Sequence, residues 1–158
     1  MKSFNILKIL FYLTFTIILF AISFVIKKLV LVNIYSGFDN FLFKLEYVTN
    51  TGAAFSMLQN AAPFLIAAAF IILFYIVCYT CYNSCRLGLY VLFLLSSLSA
   101  GICSNLFERI AHGYVIDYIS LKHIPFPVFN FSDILIVASC FLLIVQFLFF
   151  ERKKVKND

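Results

Sequence analysis

The residues of this chain best suited to chemistry are two aspartates, Asp117 and Asp133, because they are carboxylates in a sequence that carries little charge. The 158 residues are 64% hydrophobic and 12% charged. An ionisable group beside a bilayer is costly and is usually retained for function. Two carboxylates that meet in a poorly hydrated site can share one proton and activate a water molecule. The pair therefore predicts the chemistry of an aspartic protease.

The local sequence gives the two aspartates different environments. Asp133 follows Asn130 and Ser132 and precedes an apolar run, which predicts the N-cap or first turn of a helix, where negative charge is favoured. Asp117 lies in an apolar stretch that we expect to be extended. If the two meet, Asp133 should ionise more readily and Asp117 should hold the shared proton. Taken singly, each has a simpler interpretation, Asp133 as a helix cap and Asp117 as a carboxylate on a surface loop.

A second group of polar residues precedes Asp117. Asn105 and Arg109 are four residues apart, which places them on one face of a helix. Arg109 is suited to bracing a carboxylate or a phosphate headgroup, or to extending its side chain towards the membrane surface. We expect Glu108 to pair with Arg109 or with Lys122.

The histidines and cysteines predict no metal site. His112 and His123 are eleven residues apart and have no cluster of further ligands around them. Cys78, Cys81 and Cys85 share one helical face, which leaves metal binding or lipidation open, but cysteine commonly packs as a small apolar residue. We therefore expect neither a metal nor another cofactor.

Four apolar runs are long enough, or nearly so, to cross the hydrocarbon core of a bilayer. They are residues 9–26, 63–82, 87–106 and 134–150. Because the runs are continuously apolar rather than alternating, they favour helices over a membrane barrel. The predicted fold class is an all-α membrane protein with four transmembrane helices and a small extracytoplasmic β-structure, in a single domain of residues 1–158.

The basic residues predict the orientation in the membrane. They precede the first run, link the second and third, and follow the fourth, as the positive-inside rule requires of cytoplasmic segments. These residues are Lys2, Lys8, Arg86, Arg152, Lys153, Lys154 and Lys156. We expect both termini to be cytoplasmic, with Lys27 and Lys28 as exceptions at the outer end of helix 1.

Two segments, of about residues 27–62 and 107–131, should then face outward. In the first, residues 29–33 and 43–48 have strand-like patterns, and a turn is predicted between them near Gly37. A small β-structure on the membrane surface follows from these patterns.

Three polar motifs occur in order beside the apolar runs. They are Val48-Thr-Asn-Thr-Gly-Ala-Ala-Phe55, then Asn105-Leu-Phe-Glu-Arg109 with Val115-Ile-Asp-Tyr-Ile119, and then Phe129-Asn-Phe-Ser-Asp133. In this order and spacing, they resemble the lipoprotein signal peptidase family, also called signal peptidase II or prolipoprotein signal peptidase.

The resemblance implies an intramembrane aspartic endopeptidase that removes signal peptides from prolipoproteins. Such an enzyme cleaves before a lipobox cysteine that already carries a diacylglyceryl group. The resemblance also implies that Asp117 and Asp133 are the catalytic pair. The residues implied to bind substrate or support the site are Asn50, Gly52, Asn105, Arg109 and Asn130. The expected partners are prolipoproteins and membrane lipids, not nucleic acid.

The resemblance also implies a location in the bacterial cytoplasmic (inner) membrane with the active site towards the outer face, and we expect a monomer. Two departures from the family pattern stand out. Glu108 replaces the usual aspartate, and Ser23-Phe24 replaces a usual Asp-Gln pair, although Lys27 persists.

Three other functions are compatible with a four-helix membrane protein. They are a small proton-coupled transporter, a catalytically inactive homologue that binds lipid-modified peptides, and a structural membrane subunit. A transporter would favour carboxylates near the middle of its helices. The four predicted spans contain no acidic residue, so the sequence favours the peptidase.

Overall fold

The structure, a computed structural model, describes residues 4–35, 37–52 and 61–155. Within these residues, four helices are long and apolar enough to cross a membrane, and two strands form an antiparallel sheet. The elements are α1 (Ile6–Tyr35), β1 (Phe43–Asn50), α2 (Ala62–Asn83), α3 (Leu89–His112), β2 (Val115–Leu121) and α4 (Phe131–Val155). The four helices and the small β-structure of the predicted fold class are confirmed.

Local signals set several of these boundaries. Pro63 lies in the first turn of α2, where its missing N–H has no helical partner in any case. Gly113 ends α3 in the left-handed conformation, with φ of 82°, and its N–H donates to the carbonyl of Arg109. The chain then turns directly into β2, which carries Asp117.

The prediction for the outer end of helix 1 is wrong. We expected that helix to end at residue 26 and a strand at residues 29–33, but α1 continues to Tyr35. The apolar run after Lys28 suits a helix as well as a strand, and periodicity alone does not separate the two in so short a run. At about 1.5 Å per residue, α1 exceeds the thickness of a hydrocarbon core and so reaches the sheet.

The other outer boundaries also shift. The helix predicted to end at residue 106 extends to His112, and the one predicted from residue 134 begins at Phe131. Polar residues in these turns, such as Glu108, Arg109 and Asp133, are paired, so the lengths of the apolar runs underestimate the lengths of the helices. The strand predicted at residues 43–48 is confirmed, because it lies within β1.

The two ends of the helix bundle differ, because one carries the β-sheet and the other carries the turn between α2 and α3. The sheet lies at the end where α1 and α3 finish, because β1 follows α1 and β2 follows α3. At the opposite end, Lys8 Nζ donates to the carbonyl of Leu87 at 2.6 Å, and the Asn5 N–H donates to Ser84 Oγ at 3.1 Å. The N-terminal end of α1 is therefore attached to the turn between α2 and α3.

Helix α3 is the centre of the bundle and packs against the other three helices. Of 18 consecutive apolar residues in the α3 span, 61% are buried inside the protein, against 11% in each of the other three spans. Small hydroxyl side chains permit this close packing. Ser99 Oγ lies 2.7 Å from the Tyr12 hydroxyl of α1, and Ser96 Oγ donates to the carbonyl of Tyr12. Outward-facing apolar side chains of the other spans are left for lipid.

A buried ion pair joins α1, α3 and β2. Lys27 of α1 pairs with Glu108 of α3, and both side chains are largely buried. The second carboxylate oxygen of Glu108 accepts a hydrogen bond from the Ile116 N–H at 2.8 Å. The predicted pairing of Glu108 with Arg109 or Lys122 is therefore wrong, since the continuation of α1 brings Lys27 to it.

Gly101 permits a close contact between α3 and the start of α4. A β-carbon at this position would lie 2.6 Å from the Ser132 carbonyl oxygen and 2.8 Å from Ile136 Cγ1. Both distances are far below van der Waals contact. The two helices can therefore approach this closely only with glycine at position 101.

We predict that Gly101→Ala destabilises the protein by about 1–3 kcal/mol, because the added methyl group forces α4 away from α3. Thermal unfolding in detergent measures the effect. Gly88→Ala is the control, because a β-carbon there meets no heavy atom within 4 Å. Equal unfolding midpoints for the two variants would show that the contact does not limit the packing.

We predict that Lys27→Met destabilises the protein by about 3–5 kcal/mol, because it leaves the Glu108 carboxylate buried without its cation. Lys28→Met is the matched control, since the exposed Lys28 ammonium lies over the Phe24 ring instead. In the same unfolding assay, the double variant Lys27→Met/Glu108→Gln should recover part of the loss. A double variant less stable than Lys27→Met would contradict this account.

Candidate active site

The pairing of the two strands places Asn50 beside Asp117. Asn50 pairs with Val115, and Asp117 lies two residues further along β2 on the same face of the sheet. Asn50 Nδ2 donates a hydrogen bond to Asp117 Oδ2 at 2.9 Å. The first and second sequence motifs therefore meet across the sheet.

Asp117 is buried on β2, with 3% of its surface exposed. Its other carboxylate oxygen, Oδ1, accepts a hydrogen bond from Asn130 Nδ2 at 2.7 Å. Burial, and then the charge of Asp133, raise the pKa of Asp117 to about 6, although the two asparagine bonds oppose the rise. The interpretation of Asp117 as a carboxylate on a surface loop is wrong.

Asp133 lies in the first turn of α4, as predicted. It forms a reciprocal cap with Asn130. The Asp133 N–H donates to Asn130 Oδ1, and the Asn130 N–H donates to Asp133 Oδ2, each at 3.0 Å. Asp133 is thus a helix cap, but the cap uses only one of its carboxylate oxygens.

The other oxygen of Asp133 faces α3. Asn105 Nδ2 donates to Asp133 Oδ1 at 2.7 Å. The Asn130 amide donates to Asn105 Oδ1 at 3.4 Å in addition to its shorter bond with Asp117. Asn130 therefore joins both carboxylates and Asn105 in one hydrogen-bonded network.

Arg109 anchors the chain after β1. Its Nη2 donates to the Gly52 carbonyl at 2.8 Å, and the Gly52 N–H donates to Asn50 Oδ1 at 2.9 Å. The Arg109 guanidinium therefore binds the backbone at Gly52. It also lines the same cavity as the two aspartates. The remainder of the first motif, residues 53–55, lies outside the described residues.

A cavity of about 900 Å³ opens between α2, α3, α4 and the sheet. One part of its wall is polar and includes Asp117, Asp133, Asn105 and Arg109. The rest is largely apolar and comes from facing surfaces of α2 and α4 and from the segment before α4. Apolar residues in this wall include Leu65, Ala68, Ile72, Phe126, Val137 and Phe141. A cavity of this size accommodates a molecule with a polar group at one end and hydrocarbon along its length.

This arrangement is suited to adding water to a carbonyl group. Two carboxylates lie in one network, and each accepts hydrogen bonds from asparagine side chains. Burial raises the pKa of Asp117 to about 6, so this carboxyl keeps its proton to a higher pH than an ordinary aspartate does. One carboxyl group can then act as general acid while the other acts as general base.

All seven candidate residues meet in this region, although their elements are far apart in the chain. Three residues that contribute to it were not predicted as part of the site. They are Lys27, Gly101 and Tyr118, whose hydroxyl accepts the Phe131 N–H. Lys27 carried a signal, because a lysine followed by further apolar helical residues is rare in a membrane span unless it is paired.

The histidines and cysteines lie elsewhere. His123 Nε2 lies 2.8 Å from the Phe41 carbonyl oxygen, and the His112 ring lies beside Tyr114. Among the described residues, no cluster of three or more histidine, cysteine, aspartate or glutamate side chains could hold a metal ion.

The fold resembles those of solved bacterial membrane enzymes. A structure determined by the in meso method at 2.3 Å resolution superimposes with a TM-score of 0.77 at 24% identity, covering 87% of each chain. A second, at 1.9 Å resolution, gives a TM-score of 0.72 at 23% identity, covering 87% of this chain and 92% of the other. At these identities the likeness shows a shared fold.

Curated relatives are more similar in sequence. A lipoprotein signal peptidase of Caldicellulosiruptor bescii is 39% identical over 102 residues, which are 65% of each chain, so the match spans just under two thirds of that relative. The lipoprotein signal peptidase of Clostridioides difficile is 34% identical over 118 residues, 72% of this chain and 76% of the relative. The family model for signal peptidase (SPase) II matches residues 15–149. Since that match spans most of the sequence and the network of aspartates lies inside it, the chain belongs to the signal peptidase II family.

Proposed function

We propose that this protein is an intramembrane aspartic endopeptidase that removes signal peptides from prolipoproteins. It cleaves before the lipobox cysteine once that residue carries a diacylglyceryl group. The observation that carries the proposal is the network in which Asn130 bonds to both Asp117 and Asp133 at the polar end of a largely apolar cavity.

The two aspartates have different roles in this proposal. Asp133 is the general base, because the N-terminus of α4 and the Asn105 amide stabilise its ionised form. Asp117 is the general acid, because its raised pKa, near 6, favours the protonated carboxyl. Since the two interact, they titrate as a pair, and the active form carries one proton.

Peptide hydrolysis then needs no covalent intermediate with the enzyme. Asp133 takes a proton from water, the oxygen of this water bonds to the scissile carbonyl carbon, and Asp117 donates its proton to the carbonyl oxygen. The resulting tetrahedral diol collapses when the carbon–nitrogen bond breaks, and the leaving amine takes the proton that Asp133 holds. Asp117 recovers its proton from the diol hydroxyl as the carbonyl re-forms.

The substrate proposed for this site is itself amphipathic. The acyl chains of the diacylglyceryl group would lie against the apolar walls from α2 and α4, where they remain in a hydrocarbon environment. The peptide would lie across the polar end, where Asn50, Arg109 and the backbone at Gly52 supply donors and acceptors for an extended chain.

The proposed setting is the bacterial inner membrane. Both termini would be cytoplasmic, since Lys8 and Arg86 lie at the end of the bundle opposite the sheet and the positive-inside rule places basic ends inside. The active site would then face outward, where water is available. We propose that the enzyme acts as a monomer, with prolipoproteins and membrane lipids as its partners.

We predict that Asp117→Asn and Asp133→Asn each lower the rate of cleavage by at least about a hundred-fold, because each removes one partner of the proton transfer. The measurement is cleavage, in detergent, of a lipobox peptide that carries a diacylglyceryl-cysteine.

The matched control for these variants is Asp39→Asn. Asp39 is an exposed carboxylate that pairs with Lys122 away from the cavity, and its loss should leave the rate unchanged. Cleavage that survives either active-site substitution would disprove the catalytic pair. Binding of the lipidated peptide without cleavage by the wild type would identify an inactive binding homologue instead.

The raised pKa of Asp117 also predicts how stability depends on pH. The folded state holds this proton more tightly than the unfolded chain, so the contribution of Asp117 to the free energy of unfolding is full below about pH 4 and is lost as the pH rises through about 6. The full difference corresponds to about 3 kcal/mol. Asp117→Asn should lack this contribution, so its thermal midpoint should fall less than that of the wild type between about pH 4 and 7.

Thermal unfolding in detergent across that pH range tests this expectation, with Asp39→Asn as the control for the loss of one carboxylate. Parallel curves for the wild type and Asp117→Asn would show that Asp117 does not keep its proton in the folded protein. The comparison is independent of catalysis, so it tests the site even if the substrate is different.

A further inference from the structure

Tyr118 follows Asp117 on β2 and is buried, with 1% of its surface exposed. Consecutive residues of a strand point to opposite faces, so the Tyr118 side chain lies on the side of β2 away from the Asp117 carboxylate. Its hydroxyl group reaches the beginning of α4.

The hydroxyl oxygen of Tyr118 accepts a hydrogen bond from the Phe131 N–H at 3.1 Å. This N–H belongs to the first residue of α4 and has no partner within the helix, as is general for the first four amides of a helix. The Asp133 N–H in the same turn is satisfied by Asn130. Tyr118 thus satisfies an amide in the first turn of α4 that the helix itself cannot pair.

Backbone hydrogen bonds join the same two segments. The Tyr118 and Ile119 N–H groups both donate to the Phe129 carbonyl, at 3.0 and 2.8 Å, and the Phe129 N–H donates to the Ile119 carbonyl at 3.1 Å. These bonds fix residue 129 against β2. They do not include a residue of α4. The bond from the Phe131 N–H to the Tyr118 hydroxyl does, because Phe131 is the first residue of this helix.

The hydroxyl bond and the Asn130 side chain therefore hold the start of α4 from two sides. Asn130 links it to Asp117 on one face of β2, and Tyr118 links it to the strand on the other face. The body of α4 also packs against α3 at Gly101, and Asn105 bonds to Asp133. These contacts do not tie the first turn of α4 to the face of β2 opposite Asp117. The Tyr118 bond does so, and it therefore limits small shifts of this turn that would carry Asp133 towards or away from Asp117.

We propose that Tyr118 is a positioning residue, whose hydroxyl group fixes the first turn of α4 relative to β2 and so fixes Asp133 relative to Asp117. The inference rests on the proposed function, in which the two carboxylates act together on one carbonyl group. Tyr118 itself touches neither water nor substrate in this mechanism. Its effect should appear in the chemical step and not in the binding of the lipid-modified peptide.

The test is Tyr118→Phe, which removes one oxygen atom and keeps the buried ring. We expect kcat for the diacylglyceryl-modified lipobox peptide to fall about ten-fold or more, because small displacements of catalytic groups reduce rates steeply. KM should change less than about two-fold, since no substrate contact is lost. A peptide with a hydroxyl-bearing tetrahedral isostere at the scissile bond should bind more weakly by a factor similar to the loss in kcat.

Tyr12→Phe is the matched control. Tyr12 is also a buried tyrosine that loses one hydroxyl contact, the one to Ser99 Oγ at 2.7 Å, but this contact lies in the core between α1 and α3. A purely structural loss should affect the two variants alike. We expect Tyr12→Phe to keep the wild-type kcat and the wild-type affinity for the isostere.

The outcomes separate the inference from the function on which it rests. Loss of kcat and of isostere affinity in Tyr118→Phe alone supports positioning. Wild-type kcat in Tyr118→Phe, or an equal loss in Tyr12→Phe, overturns it while leaving the peptidase intact. Absence of cleavage by the wild type overturns the proposed function. The affinity of the wild type for the isostere then tests separately whether the two aspartates bind a tetrahedral group.

Discussion

The structure around the candidate active site depends on the hydrogen bonds of one side chain, the amide of Asn130. Its nitrogen donates to Asp117, and its oxygen accepts the N–H of Asp133. An amide offers donors and an acceptor in a fixed plane, so it can join a carboxylate on a strand to the first turn of a helix. Together with Asn50 on Asp117 and Asn105 on Asp133, this amide compensates the two carboxylates for their loss of water. Holding two acids in one network is also what makes their protons shareable.

The membrane explains why so much of the remaining structure serves this network. Few residues of the other three spans are buried inside the protein, whereas most of those in the α3 span are, so polar groups are concentrated on α3 and on the elements that contact it. Gly101 lets α4 approach closely enough for Asn105 to reach Asp133. Close helix contact and polar pairing are the interactions that stabilise helices where lipid removes the hydrophobic driving force between them.

The resemblance led us to expect departures from the family pattern at Ser23-Phe24 and at Glu108, and the structure shows what these residues do. Ser23 is buried, and its hydroxyl donates to the Leu19 carbonyl one turn earlier in α1, so it brings no charge to the bundle. The charge of Lys27 is instead balanced across the helix interface by Glu108. Because the other oxygen of Glu108 holds the Ile116 N–H, this pair also restrains the strand that carries Asp117. The substitutions therefore leave a connected support beneath the aspartates.

The sequence by itself determined the four helices and the strand at residues 43–48, because the length of apolar runs and the alternation of residues are local properties. The full set of residues that meet at the site was expected from the resemblance of three short motifs to the signal peptidase II family. The sequence did not determine that α1 continues through Lys27, since helix and strand are equally compatible with the apolar residues that follow. In the structure the continued helix brings Lys27 to Glu108, which lies far along the chain. Contacts of this kind, like those of Gly101 and Tyr118, form between distant segments, so only the tertiary structure could decide them.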